Sequence, residues 1–257
     1  VGRVWGFLAS IIAGDSTGAV LSLAPILTTV ILFLVVVFAQ SLKVEVPLSY
    51  DRIRGYGVKW PLQFFYAGVI PVILVSALVA NIQLFSGLLE NWLGYGTFLG
   101  SFVNGQPVSG VAFWIGFTPL LDAVITSSLR WEYIVQALGH ILFYVVFSIL
   151  FSYFWVTTAQ LDARSQAKNI MTRGLNIPGF RKDERVLESI LKRYVGPLTI
   201  MGGAAIGLLA SVADLLGALV GGTAILLAIM IIYQLYQNIA QKYAVDMNPG
   251  LRNFFGG

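Results

Sequence analysis

The chain has 257 residues, of which 57% are hydrophobic and only 11% are charged, and its mean hydropathy is +0.81. Soluble domains carry about 25% charged residues, so this composition excludes an ordinary soluble protein and indicates a membrane protein. The net charge is +4, and the sequence contains no cysteine, which excludes disulfides and thiolate metal sites.

The apolar residues are grouped in long stretches. The first residues predict a short helix, which ends at the turn sequence GDSTG (residues 14–18). A helix needs about 20 mainly apolar residues to cross a bilayer, and five stretches meet that requirement. The sequence therefore predicts an all-α polytopic membrane protein with five transmembrane helices, at residues 20–42, 62–85, 134–156, 196–216 and 219–240.

The first connection, residues 43–61, alternates Val-Glu-Val before Pro47 and then becomes basic and rich in glycine. Alternation of this kind is typical of a strand, and the glycines favour a turn. We therefore expect a hairpin that projects from the membrane.

The second span contains a proline, Pro71, between Ile70 and another isoleucine, Ile73. A proline inside a helix removes a hydrogen bond and bends the helix. Two interpretations remain open: a kink that serves only packing, or a bent helix that lines a path through the membrane. Ile70, Ile73, Ala77 and Asn81 share one helical stripe, and an amide in hydrocarbon needs a partner, so Asn81 is expected to face protein or water.

The long outer segment, residues 86–133, includes a stretch that is almost long enough to cross the membrane. Pro119, Asp122 and several glycines interrupt it, which favours an interfacial or re-entrant segment. A crossing here would also place the two basic connections, residues 43–61 and 157–195, on opposite sides of the membrane.

The third and fourth spans contain the polar residues that most resemble catalytic groups. His140 is the only histidine, and no nucleophile or orienting group accompanies it in a known motif. We expect His140 to be packed or hydrogen-bonded, and Asp214 to lie near the outer end of its helix. The sequence predicts no catalytic residue, no cofactor and no metal site, and it does not favour an enzyme.

The fourth span also carries Gly203 and Gly207, extended at the same spacing by Thr199 and Ser211. Small residues four apart let two helix backbones approach closely. This stripe predicts helix–helix packing.

The basic residues are distributed unequally between the two sides of the predicted bundle. Of the 16 Lys and Arg residues, 14 lie in the connections 43–61 and 157–195 or after the last span. The positive-inside rule makes this side cytoplasmic, together with the C-terminus. Arg181 and Lys182 follow the turn sequence NIPGF, where they could contact lipid or RNA phosphate, although the charge could also serve orientation alone.

Several ordered motifs resemble the C-terminal half of the SecY family, the α subunits of the Sec protein-conducting channel. They are PLQFFYAGVIPVILVSALVANIQ (61–83), NIPGFRKDE (176–184), RYVGPLT (193–199) and GGTAILLAIMIIYQLYQ (221–237). The resemblance implies helices six to ten of the ten-helix bundle, of the archaeal type. Because the chain begins with Val rather than Met, we expect it to be a piece of a longer subunit, with the first five helices elsewhere.

The resemblance also implies roles for individual residues. In that family, apolar side chains from four helices form a constriction that excludes ions by dewetting. Ile70, Ile73 and Leu227 match positions of this pore ring, and a kink at Pro71 would aim the two isoleucines inward. Asn81 and Pro71 match the lateral gate, through which signal sequences reach the lipid.

The basic connections match the family's docking sites for the ribosome or, in bacteria, the SecA motor. Arg181 matches the key arginine of its loop, next to Lys182, and Arg52 and Arg54 lie in the other docking loop, where ribosomal RNA contact is possible. The other implied partners are SecE-type and small β-type subunits, the N-terminal half of SecY, signal sequences, nascent chains and membrane lipid.

The resemblance therefore implies a multi-pass protein of the cytoplasmic membrane that passes unfolded polypeptides across the bilayer and releases hydrophobic segments laterally into lipid. The alternative is half of a secondary solute transporter. Transporters usually place ionisable residues or broken helices at the midplane, and the almost entirely apolar spans count against that alternative.

Overall fold

A computed structural model describes residues 2–50, 57–118, 120–172, 175–176 and 183–247. The five long helices are α2 (Ser16–Ser41), α3 (Ile70–Leu93), α6 (Trp131–Thr158), α8 (Glu184–Leu215) and α9 (Gly222–Met247). The short helices are α1 (Arg3–Ile12), α4 (Gly110–Trp114), α5 (Leu120–Ile125) and α7 (Ala163–Thr172). By length and composition, five helices within these described ranges can cross a membrane, which confirms the predicted fold class.

The predicted hairpin after the first span is confirmed. Strands β1 (Lys43–Tyr50) and β2 (Gly57–Gln63) are antiparallel, and Lys43 pairs with Gln63. A third strand, β5 (Leu175–Asn176), pairs with the far end of β1. The sheet order is therefore β2-β1-β5, and it joins two connections that are far apart in the sequence.

The first membrane helix begins earlier than predicted, at Ser16 rather than residue 20. Asp15 precedes it with an extended backbone, and its carboxylate accepts a hydrogen bond from the Gly18 N–H at 3.0 Å. This N-cap satisfies one of the free amides of the first turn and fixes the start of the helix.

The prediction that the second span begins at residue 62 and is kinked at Pro71 is wrong. Residues 57–63 form β2, and α3 begins only at Ile70, so Pro71 lies in the first turn. A proline there disrupts nothing, because the first amides of a helix have no partner within it. The chain turns before the helix instead, at Gly68, whose φ of +68° lies in the left-handed region.

Helix α8 begins at Glu184, although the sequence predicted a loop up to residue 195. Leu187, Leu191 and Val195 are buried at intervals of four residues, so this part of the helix is amphipathic. Its exposed face is charged, which lowers the mean hydropathy below the level expected for a membrane span. Hydropathy therefore located only the membrane-crossing part of α8.

The connecting segment (residues 94–130, without 119) contains two strands and the short helices α4 and α5. Strands β3 (Ser101–Val103) and β4 (Gln106–Ser109) form a hairpin. Helices α4 and α5 have 5 and 6 residues and are too short to cross a bilayer. Most of the predicted outer segment is thus folded but does not span the membrane.

The close packing predicted from the small residues of the fourth span is confirmed between α6 and α8. A side-chain Cβ at Gly207 would lie 2.8 Å from the Tyr144 carbonyl oxygen, and one at Gly203 would lie 3.1 Å from the Ser148 carbonyl oxygen. Only glycine allows the two backbones to come this close.

The apolar side chains form two clusters. The first lies among the long helices and includes Val36, Val72, Val75, Tyr144, Ile206 and Ile229. The second packs the sheet against α7 and the start of α8, and it includes Val46, Leu62, Ala167, Ile170, Leu187 and Leu191. We call the part of the molecule around the second cluster the basic end.

Candidate functional site

Helix α3 presents two different faces. Val72, Val75 and Val79 are buried in the core of the bundle. The opposite face is open along its length, because Leu74, Leu84, Phe85 and Leu88 are 40% to 62% exposed. A helix that is apolar on both faces needs a further apolar environment, either protein or lipid, on its open side.

The three residues predicted to form the pore ring lie at the margin between core and open surface. Ile70 and Ile73 are half-buried on α3, and Ile73 packs against the core cluster. Leu227 is 37% exposed on α9, next to the buried Leu226. Because α3 and α9 contact each other, the structure brings the helices that carry these residues together.

The two predicted gate residues have contrasting environments. Pro71 is fully buried, so it does not line an open path. Asn81 is exposed on the open face of α3, and it makes no hydrogen bond to any residue that the structure describes. Its amide is thus available to a partner that approaches this face.

The four predicted docking residues, Arg52, Arg54, Arg181 and Lys182, lie outside the described residues. The structure does describe the strands that lead into their loops. Strand β1 precedes residues 51–56, β5 precedes residues 177–182, and the two strands pair at Ser49 and Asn176. The two segments that carry these residues therefore follow neighbouring strands of one sheet in the sequence.

Further cations lie on the same end of the molecule, on elements that the sequence had assigned to a loop. These residues are all exposed on α7 or the first turns of α8: Arg164, Lys168, Arg185, Lys192 and Arg193. Hydropathy could not reveal them as a common surface, because their placement depends on the helical structure of residues 163–172 and 184–195.

A half-buried tyrosine connects the basic end to the start of α3. The Tyr66 hydroxyl donates a hydrogen bond to the carbonyl oxygen of Leu161, in the turn between α6 and α7. Burial, and secondarily the negative charge of Asp162, raises the pKa of Tyr66 to about 12. The phenol therefore remains a donor at neutral pH and holds β2 and α3 against the turn.

His140 is hydrogen-bonded and buried, as predicted. It lies between α6 and the connecting segment, where its Nδ1 is 2.9 Å from the carbonyl oxygen of Ile115. Its partner on α8, Asp214, could not be identified from the sequence, because the two residues are far apart along the chain. The described residues contain no group of three or more His, Cys, Asp or Glu side chains that could hold a metal ion.

The SecY family model matches residues 2–236 of the chain. The chain is 40% identical to the protein translocase subunit SecY of Methanococcus vannielii, over 99% of this chain and 56% of the relative. It is 39% identical to the SecY subunit of Pyrococcus furiosus, over 100% of this chain and 54% of the relative. The chain thus spans about half the length of these curated relatives.

Solved structures give the same result. A structure described as a protein conducting channel is similar with a TM-score of 0.77 and 38% identity, over 96% of this chain and 55% of the other. Sec61 from a canine ribosome-channel complex of the endoplasmic reticulum has a TM-score of 0.73 and 35% identity, over 96% and 55% of the two chains. A family match along nearly the whole chain, archaeal relatives and an equivalent arrangement of helices lead to one conclusion: the chain belongs to the SecY family.

Proposed function

We propose that this chain forms the C-terminal half of the pore-forming subunit of a Sec-type translocation channel. The channel passes unfolded polypeptides across the membrane and releases hydrophobic segments laterally into lipid. The observation that carries the proposal is the family match over residues 2–236, at about 40% identity to subunits named as protein translocases. In this role the chain performs no covalent chemistry, and partners supply the energy.

The proposed seal is a ring of aliphatic side chains to which Ile70, Ile73 and Leu227 contribute. Their partial exposure supports this role, because a ring residue must be held by the bundle on one side and reach the path on the other. A narrow apolar constriction does not hold a continuous file of water, so it excludes ions when no polypeptide occupies it. Short aliphatic side chains can also move apart when a chain passes.

The seal is tested by replacing Ile70 and Ile73 together with serine in the complete channel. Hydroxyl groups stabilise water in the constriction, so we expect the resting ion conductance in planar bilayers to rise several-fold.

The matched control is the double variant Leu138→Ser and Leu142→Ser. These residues are 61% and 65% exposed on α6, and replacing them removes the same number of apolar side chains from a membrane helix. Equal conductance in the ring variant and the wild type would remove the two isoleucines from the seal.

The proposed lateral gate lies along the open face of α3. Asn81 is a polar residue exposed in this face, and its amide is free to hydrogen-bond with a helix from the other half of the subunit. A polar contact in hydrocarbon stabilises by about 0.6–2 kcal/mol. This is enough to favour the closed gate without preventing its opening. A signal helix that displaces this contact then reaches lipid.

The proposed orientation places the basic end and the C-terminus in the cytoplasm, following the distribution of Lys and Arg. The loops that carry Arg52, Arg54, Arg181 and Lys182 then form one docking surface for the ribosome or a motor protein. Support comes from the pairing of β1 with β5 and from the cations exposed on α7 and α8. SecE-type and small β-type subunits and the N-terminal half of SecY complete the assembly.

A further inference from the structure

His140 is buried at a junction of four elements at the end of the bundle opposite the basic end. Only 2% of its surface is exposed, and its ring lies 4.5 Å from the ring of Tyr144 on the same helix. Nδ1 faces the Ile115 carbonyl oxygen, just after α4, while Nε2 lies 3.7 Å from Asp214 Oδ2 on α8. One side chain thus touches the connecting segment and the last turn of α8.

The hydrogen-bonding partners determine where the protons of this ring must be. A carbonyl oxygen can only accept, so Nδ1 carries a proton. In a neutral ring Nε2 is then a bare acceptor that faces a carboxylate, and it has no hydrogen-bond partner among the described residues. An unpaired buried acceptor is unfavourable. A second proton on Nε2 would instead place a positive charge 3.7 Å from the Asp214 carboxylate, within ion-pair distance.

The environment of Asp214 favours the proton on histidine rather than on the carboxyl group. Asp214 Oδ1 accepts a hydrogen bond from the Gly222 N–H, at 2.6 Å, where α9 begins. Amide donors and the positive end of a helix both stabilise a carboxylate. Asp214 itself lies in the last turn of α8, where a negative charge is unfavourable unless it has partners of this kind.

We propose that His140 and Asp214 form an imidazolium–carboxylate pair that positions the connecting segment and the start of α9 relative to each other. The pair completes a chain of contacts from the Ile115 carbonyl group through His140 and Asp214 to the Gly222 amide. Among the described residues, the titratable groups that face His140 are Asp214 from α8 and Tyr144 from α6, and the connecting segment contributes the Ile115 carbonyl group.

A second hydrogen bond between α6 and the connecting segment supports a positioning role. Gln136, one turn before His140 on α6, donates a hydrogen bond from Nε2 to the Phe113 carbonyl oxygen at 2.7 Å. Between them, a Cβ at Gly139 would lie 3.1 Å from the Trp114 carbonyl oxygen. The end of α4 is therefore fixed closely against α6. Of these three α6 residues, His140 also contacts Asp214 on α8, which in turn is hydrogen-bonded to the start of α9.

The proton on Nε2 can be observed directly, because His140 is the only histidine of this sequence. The complete subunit is labelled with ¹⁵N-histidine in membranes, and the spectrum of His140→Gln is subtracted to isolate the signal. We expect both ring nitrogens to be protonated at pH 7. In Asp214→Asn we expect only Nδ1 to be protonated, because the carboxylate that stabilises the second proton is gone.

A bare Nε2 in the wild type at pH 7 overturns the proposal, whether the proton is absent or resides on Asp214. If Asp214→Asn does not assemble, the wild-type spectrum at pH 7 decides alone.

The positioning role is tested by a distance measurement between two spin labels. The sequence has no cysteine, so cysteines introduced at Phe117 and Val220, which are 58% and 57% exposed, report the connecting segment and the start of α9. We expect a narrow distance distribution in the wild type at pH 7 and a distribution at least twice as broad in His140→Gln.

The control labels Leu142 on α6 and Leu208 on α8, which the glycine contacts hold together, and their distance should not change. Equal widths at positions 117 and 220 in wild type and variant overturn the positioning role. Neither measurement depends on translocation, so this inference and the proposed function can fail separately.

Discussion

At the scale of single residues, we expect the Asn81 side chain to set how hydrophobic a signal sequence must be for export. Its neighbours on the open face of α3 are apolar, and it has no hydrogen-bond partner within the described part of the chain. If Asn81 makes a polar contact in the proposed gate, replacing it with leucine removes about 0.6–2 kcal/mol of that contact. We expect Asn81→Leu to export signal sequences that are too weakly hydrophobic for the wild type, measured as the fraction of a graded signal series that is translocated.

Ala80→Leu is the matched control, because it adds a leucine at a neighbouring exposed position and removes no amide. An unchanged signal threshold in Asn81→Leu would contradict the gate assignment. A change of equal size in both variants would attribute the effect to bulk alone.

Tyr66 gives a pH-dependent prediction. Its pKa is raised from 10.0 to about 12 in the folded protein. The folded state therefore binds this proton more tightly than the unfolded state, and the resulting stability is complete below pH 10 and lost as the pH rises towards 12. We expect Tyr66→Phe to lower the free energy of unfolding by about 1 kcal/mol at neutral pH and to flatten its decline above pH 10.

The measurement is thermal unfolding in detergent, followed by circular dichroism between pH 8 and pH 12. Tyr153→Phe is the control, because Tyr153 is 68% exposed and its loss should affect neither quantity. If wild type and Tyr66→Phe decline in parallel above pH 10, the hydroxyl does not hold the start of α3.

At the scale of elements, the contact between α6 and α8 predicts effects of different size for two glycines of the same helix. A Cβ at Gly207 would lie 2.8 Å from a backbone carbonyl oxygen, whereas a Cβ at Gly196 would have nothing within 4 Å. We expect Gly207→Ala to destabilise the protein by about 1–3 kcal/mol, because the helices must separate. Gly196→Ala should cost less than about 1 kcal/mol, because its Cβ would contact no other helix and only the following Pro197 crowds it.

Thermal unfolding of the two variants in the same detergent checks this prediction. Equal and small shifts would mean that α6 and α8 can separate at little cost, contrary to the close packing described above.

The sequence predicts the number of membrane helices correctly but not the residues at which they begin. Hydropathy located all five membrane helices, because each contains a long apolar stretch. It misplaced their ends wherever another force determines them. The Asp15 cap moves the start of α2, the pairing of β2 with β1 delays α3 until Ile70, and amphipathic packing extends α8 back to Glu184. Pro71 was misread for the same reason, since its effect depends on whether it lies within a helix or at its start.

Long-range contacts could not be derived from one sequence. Nothing near His140 indicates Asp214, and nothing near β1 indicates β5, because each partner is brought close only by the complete fold. The resemblance of ordered motifs to the SecY family supplied the architecture, which the comparisons confirmed, and it also supplied residue roles. The roles of Ile70, Ile73 and Leu227 in a pore ring stay predictions, as does that of Asn81 in a gate.

At the scale of the whole molecule, the charged surface of the basic end predicts how the chain meets a large partner. Arg181 lies outside the described residues, in the segment that follows β5 in the sequence. If Arg181 contacts RNA phosphate, Arg181→Glu should weaken ribosome binding about tenfold and reduce its salt dependence, because one phosphate contact is lost and a repulsion is added.

Arg252→Glu is the control, since it reverses the same charge near the C-terminus. Binding of ribosomes to channels in vesicles is measured by co-sedimentation at several salt concentrations. A larger loss in Arg181→Glu than in Arg252→Glu indicates a specific contact of Arg181. Equal losses of ribosome binding in both variants would mean that Arg181 acts only as part of a general positive surface.

The pairing of Ser49 with Asn176 has a consequence for the order in which the protein is made. Strand β1 leaves the ribosome long before β5 does, and α3, the connecting segment, α6 and α7 are all synthesised in between. During that interval the edge of β1 at Ser49 and Tyr50 has no strand beside it, and an uncovered strand edge can pair with other chains. A newly made subunit therefore cannot complete this sheet until most of its own chain has been synthesised, and it must protect that edge until then.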